Sequence, residues 1–156
     1  IQHVVDRISQ VQDFLGRQIL IENVSSYVSF NNAEMPEWEF INAIAKQSGC
    51  LLLLDINNIY VSSINHGFNA YDFINAMNKD VVQQIHLAGH ENHGDYIIDT
   101  HDAPIVEGVW DLYAYAVQKY GPKSTMIERD DHIPPIHVLV DELNHARKLA
   151  SIQLAA

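Results

Sequence analysis

The sequence predicts an α/β fold built on a parallel sheet, and three observations predict it. Short apolar segments, Gln18 to Ile21, Cys50 to Leu54, Val81 to Ile85 and Ser124 to Ile127, each lie between stretches of helical periodicity. The run CLLLL at Cys50 to Leu54 has no polar alternation, as expected of a parallel strand buried on both faces. All four segments run into a residue of metal-ligand type: Glu22, Asp55, His86 and Glu128.

Residues 1 to 16 place Val4, Val5, Ile8, Val11 and Leu15 at helical spacing, with Gly16 as the stop. The first strand follows and meets Glu22 and Asn23, and VSSYVSFNNAEM then reads as loop. Pro36 opens a helix through about Ser48 that Gly49 closes, and the second strand ends at Asp55. DINNIYVSSINHGFN reads as a long loop, Ala70 to Asn78 as a short helix, and Val81 to Ile85 as the third strand, ending at His86. Glu91 to Gly94 is a polar turn, and Tyr96 to Ile98 a brief strand-like insert that presents Asp99 and His101. Trp110 to Tyr120 is a helix stopped by Gly121-Pro122, with Trp110, Tyr113 and Tyr115 read as core. After the fourth strand, Pro135 to Ala150 forms the last helix, with Ile136, Leu139, Val140, Leu143 and Ala146 on its apolar face.

With 156 residues and 47% apolar composition, one domain with a sizeable core is expected over 1–156. The formal net charge of -11 weighs against a nucleic-acid partner, whose phosphates call for a basic footprint. The single cysteine, Cys50, lies in an apolar run, which fits a buried thiol in a reducing cytoplasm. No run reaches the length of a membrane span, so no membrane partner is expected and the location is read as cytoplasmic. The opening IQHVVDRISQ, helical from its first residues and without Met, reads as a piece of something longer.

Right-handed crossovers put every C-terminal strand end at the same rim of a parallel sheet, so Glu22, Asp55, His86 and Glu128 converge there. If Asp99 and His101, two apart, lie on one strand, they face the same way. Gathering carboxylates without cations is costly, and a bound metal removes that cost. Carboxylate with imidazole suits iron, zinc or manganese better than calcium.

At these residues the chain resembles the xylose-isomerase-like superfamily of metal-dependent (β/α)8 barrels, and that resemblance makes it only the C-terminal part, strands four to eight, of such a barrel, with the weak Tyr96 to Ile98 segment as the seventh. The implied metal ligands are Glu22, Asp55, Asn58, His86, Asp99, His101 and Glu128, with Asn58 standing where the endonuclease branch has a histidine. IENVSSY, LLDINNIYVSSINHGF, QIHLAGH, IDTHDAPI and VWDLY resemble more closely the multinuclear non-haem iron oxidases of peptide natural-product biosynthesis, typified by the methanobactin biosynthesis oxidase. This implies two or three irons, oxygen as oxidant, oxidative modification of a cysteine in a precursor peptide, and a small partner protein that helps to present that peptide. His66 and His90 lie in or near these motifs as extra ligands, supporting residues or proton carriers.

A complete barrel of this kind takes ~250 residues, and the family's histidine ligands on earlier strands are absent from this chain. Open sheet edges invite pairing with another chain, so a homodimer that closes the barrel is a further expectation. The competing readings are a divalent-metal sugar isomerase or phosphodiesterase on the same scaffold, or a non-catalytic barrel fragment serving as an interaction module. The isomerase would want a lysine in the site and the phosphodiesterase basic loops; the motifs offer no lysine and few basic residues. His3, His93, His132, His137 and His145 are read as structural or surface histidines, and Arg129 as a partner for a substrate carboxylate or, in preference, a counter-charge for Asp130 and Asp131.

Overall fold

The computed structural model describes residues 1–155. The elements run α1 (Gln2–Leu15), β1 (Leu20–Glu22), α2 (Glu37–Ser48), β2 (Leu51–Asp55), α3 (Ile56–His66), α4 (Ala70–Ala76) and β3 (Val82–Leu87). They continue with β4 (Glu91–Asn92), β5 (Ile97–Ile98), α5 (Glu107–Tyr120), β6 (Ser124–Ile127) and α6 (Ile136–Ala155). Strands β1, β2, β3 and β6 form one parallel sheet in that order. The expected α/β class is therefore present as a four-stranded parallel sheet, and the described residues form no closed barrel.

Register shows how the sheet is used. Ile21 pairs with Leu52, Leu54 with Ile85, and Leu87 with Ile127. These residues share the face that packs into the main core with Phe73, Ile74, Val109, Leu112 and Val117 from the helices. Helices α1, α2, α4, α5 and α6 each touch the next in that order, so they form one layer over this face. The opposite face carries the rows Glu22, Leu53, Gln84, Ser124 and Asp55, His86, Met126. Among the described residues it has no helix layer: Leu20 is 37% exposed and Met126 42% exposed, although parallel strands ordinarily bury both faces.

Three expectations change. The segment after Asp55 is a helix, not a loop. Its Asn, Ser and β-branched residues are weak helix formers, but Ile56, Ile59, Ser62 and Ser63 are buried at helical spacing, Asp55 caps the first turn, and Gly67 ends it at φ 70°. The strand-like insert near Tyr96 does not join the main sheet as a further barrel strand. It is β5, which pairs antiparallel with β4 in a separate hairpin. On α6 the expected apolar face is partly wrong, since Ile136 is 74% exposed; Ala146, Leu149 and Ala150 make the core contacts, and the helix continues to Ala155.

Candidate metal centre

Strand geometry carries three of the expected residues to one end of the open face. Glu22 closes β1, Asp55 closes β2, and His86 lies in β3 in register with Asp55. Glu128 follows β6, and its N–H donates to Leu87 O (2.9 Å), extending the strand pairing by one residue. One ligand atom each from Glu22, Asp55, His86 and Glu128 falls within 4.8 Å of the others. His86 Nδ1 sits 3.3 Å from Glu22 Oε1 and 3.0 Å from Glu128 Oε2.

Asp55 and Asn58 are locked from behind and bare in front. Asp55 is fully buried; its Oδ1 accepts the Asn58 N–H at 2.7 Å, which caps α3. Asn23 adds the side-chain equivalent of another pair of strand hydrogen bonds. Its Oδ1 accepts the Asp55 N–H (2.9 Å), its Nδ2 donates to Asp55 O (3.0 Å), and its own carbonyl accepts from Asn58 Nδ2 (2.9 Å). Asp55 Oδ2 and Asn58 Oδ1 remain buried with no hydrogen-bond partner.

Asp99 and His101 meet by a different route from strand alternation. Both lie beyond β5, and His101 takes a left-handed backbone at φ 51°. Its N–H donates to Gly89 O (3.1 Å), and its carbonyl accepts from the Asp130 N–H (2.9 Å). His101 Nε2 lies 2.7 Å from Asp99 Oδ1, while Nδ1 lies 3.4 Å from Glu128 Oε2 and 3.6 Å from Asp130 Oδ2. A second group, His101, Glu128 and Asp130, therefore shares Glu128 with the first, whereas Asp99 reaches the cluster through His101.

His86 Nδ1 and His101 Nε2 are buried, and each stands in ion-pair contact with a carboxylate, at 3.0 and 2.7 Å, without a hydrogen bond of regular geometry. Together with Asp55 Oδ2 and Asn58 Oδ1, four expected ligand residues thus present buried polar atoms with no hydrogen-bond partner. Such orphans are rare and costly, and a cation satisfies all of these atom types. The donor set fits a metal.

Without a cation, protons take its place at these groups. Burial pushes the Asp55 carboxyl up to about 8, against the Asn58 hydrogen bond and the His101 charge that favour ionisation. The close Asp99 carboxylate raises His101 to about 9, more than offsetting burial. Burial also raises Glu22, although His86 pulls it down.

His66 and His90 find partners of their own. His66 Nε2 is 3.0 Å from Ser26 Oγ, and His90 Nδ1 is 2.8 Å from Asn57 Oδ1. His132 Nδ1 contacts Asp102 Oδ2 at 3.0 Å. Arg129 does not serve Asp130 or Asp131: it pairs with Glu142 of α6 at 3.0 Å, its side chain 5% exposed. Sequence reasoning missed Asp130 and Asn57. Asp130 follows Glu128 at a same-side spacing that could have drawn notice, whereas Asn57 has no signal apart from the fold.

The loop between β1 and α2 roofs an apolar cavity of about 760 Å³ lined by Val28, Phe30, Trp38, His66, Phe68 and Phe73. The same loop reaches the cluster through Tyr27, whose hydroxyl accepts the Asp99 N–H at 2.9 Å. No helix among the described residues is long and apolar enough to cross a membrane.

Comparison with known proteins gives this geometry a family. The family profile described as RiPP precursor modification enzyme MbnB/TglH/ChrH matches residues 1–151. A UPF0276 protein of Anaeromyxobacter sp. (strain Fw109-5) is 50% identical over 156 residues, covering 100% of this chain and 55% of the relative. UPF0276 proteins of Rhizorhabdus wittichii and Acaryochloris marina are 53% and 48% identical, covering 97% and 94% of this chain and 54% and 53% of their own lengths. The chain thus spans about half the length of the curated relatives it matches. With nearly its whole length matched, the chain belongs to the MbnB/TglH/ChrH family of RiPP precursor modification enzymes.

Proposed function

We propose that the chain is the C-terminal portion of a xylose-isomerase-like barrel, contributing the four parallel strands β1, β2, β3 and β6, whose metal-dependent centre oxidatively modifies cysteine residues of a precursor peptide. The observation that carries this reading is the convergence of buried oxygens without a hydrogen-bond partner on Asp55 and Asn58 with the His86 and His101 ring nitrogens and their close carboxylates. Glu22, Asp55, Asn58, His86, Asp99, His101 and Glu128 are the proposed ligands, with Asp130 beside them and Glu128 between the two groups. Two contiguous groups support a centre of two or three irons better than a single ion.

Bound iron supplies oxygen activation and a Lewis-acidic seat for a thiolate, chemistry that side chains alone lack. The chain's own residues hold and orient. Asn23 and the α3 cap fix Asp55 and Asn58, while Gly89 and Asp130 fix the His101 backbone. The cavity under the β1–α2 loop suits an apolar side chain of the peptide, because Tyr27 of that loop touches the Asp99 backbone. The uncovered sheet face supports a working form in which further strands, such as those of a second copy, close over it. A small partner protein presenting the peptide, and a cytoplasmic setting that keeps Cys50 reduced, complete the reading.

The test is elemental analysis and native mass of protein purified anaerobically without chelator. Two or more irons per chain are expected, lost in the Asp99→Ala/His101→Ala variant, and cysteine-containing peptides with oxygen then become the assay. Zinc or manganese alone would point to the isomerase or hydrolase class. A folded, metal-free chain would point to an interaction module.

A further inference from the structure

The pair Asp99 and His101 lies on irregular backbone beyond a two-residue strand, where nothing in the local secondary structure orients a carboxylate. We propose that His90, acting through Asn57, is a positioning residue that aims the Asp99 carboxylate at His101. The proposal rests on the metal reading above and adds to it two residues outside the ligand set.

The orientation of the Asn57 amide follows from its neighbours. Asn57 is fully buried in the first turn of α3, 2.6 Å from Asp99 Oδ1 and 2.8 Å from His90 Nδ1. An ionised carboxylate only accepts, so the amide nitrogen faces Asp99 and its oxygen faces His90. The same nitrogen lies 3.4 Å from Gly89 O, a second acceptor, which agrees with that assignment. His90 must then carry its proton on Nδ1. Burial lowers its pKa against the pull of Asp99, which favours the neutral ring with that tautomer.

The ring itself is fixed from behind. It stacks on Tyr60 at a centroid distance of 5.3 Å, and Tyr60 lies so close to Gly108 that a Cβ there would come within 2.6 Å of its ring. A chain of contacts therefore runs from α5 through Tyr60, His90 and Asn57 to Asp99 and His101. Loss of the His90 N–H would leave Asn57 Oδ1 buried without a donor, and turning the amide to relieve this would take its nitrogen off Asp99. Gly89, between His86 and His90, belongs to the same device, because its carbonyl receives both the Asn57 amide and the His101 N–H.

Two substitutions separate this role from simple packing. His90→Asn keeps an N–H where Nδ1 stands and loses the stacked ring; His90→Phe keeps the ring and loses the N–H. Zinc is titrated into metal-free protein against a chromophoric chelator, and the His101 ring nitrogens are followed by NMR in the metal-free state. His90→Phe and Asn57→Leu should weaken zinc binding by about ten- to a hundredfold, with His90→Asn close to the parent. In metal-free protein the His101 resonances should move in His90→Phe and stay in His90→Asn. The reverse order, with His90→Phe binding like the parent and His90→Asn impaired, would reduce His90 to a packing partner of Tyr60. If the parent binds no zinc, the metal reading fails; the metal-free His101 spectra still decide the positioning, and unchanged resonances in His90→Phe overturn it.

Discussion

Asp55 uses one carboxyl oxygen to hold the chain and leaves the other free: Oδ1 accepts the Asn58 N–H at 2.7 Å, while Oδ2, equally buried, has no hydrogen-bond partner and neither does Asn58 Oδ1. One residue thus ends a strand, starts a helix and contributes an unpaired charge site, and its neighbour three positions on supplies a second bare oxygen.

Asp55→Asn separates these roles. An asparagine caps a helix about as well, so α3 should remain, but the charge is gone. Metal affinity should fall by at least about tenfold. The metal-free variant should unfold a few degrees higher than the parent, because it no longer bears the cost of burying an acid whose carboxyl burial pushes up to about 8. Differential scanning calorimetry with and without metal checks both.

The pH dependence has a definite sign. Asp55 and His101 both have folded-state pKa values above their ordinary ones, about 8 and about 9. Each therefore contributes stability that is complete below its unfolded pKa and is lost as pH rises through its folded one. The metal-free chain should lose melting temperature between pH 6 and pH 9, and saturating divalent metal should flatten or invert that slope, since it takes the place of the protons. A metal-free melting temperature that rises across this range would count against the folded-state charges assigned to the cluster.

Arg129 and Glu142 tie the segment after β6 to α6. The side chains are 5% and 14% exposed, and Glu142 also accepts the Ile105 N–H. Removing one partner strands the other, so Arg129→Ala should cost about 3 kcal/mol in urea unfolding, and an apolar replacement of both, Arg129→Met with Glu142→Leu, clearly less. Equal costs would mean the pair stabilises beyond what its burial consumes.

Gly89 has no room for a side chain: a Cβ would come within 2.0 Å of the Ala103 carbonyl oxygen. Backbone must move to admit one, and the segment that would move carries Asp99 and His101. Gly89→Ala should therefore lose zinc binding while Gly67→Ala, at the open end of α3, loses stability alone. Zinc titration beside circular dichroism distinguishes the two.

Much of the molecule was legible in the chain. The unbroken apolar run before Asp55, the glycine stops at Gly16 and Gly49, and the polar residue at the end of each strand all encode local geometry, and parallel strand order turns that geometry into one rim. Three things were not legible, for one physical reason. Helix α3 is made of weak helix formers stabilised by burial, Asp99 and His101 meet across a left-handed turn, and Arg129 finds its partner on a helix 13 residues away. Local sequence specifies which residues can form a strand, end a helix or bind a metal. Only tertiary packing, through the exclusion of water and the closing of distant hydrogen bonds, decides that Asn57 should hold Asp99 and that Glu128 should stand between His86 and His101.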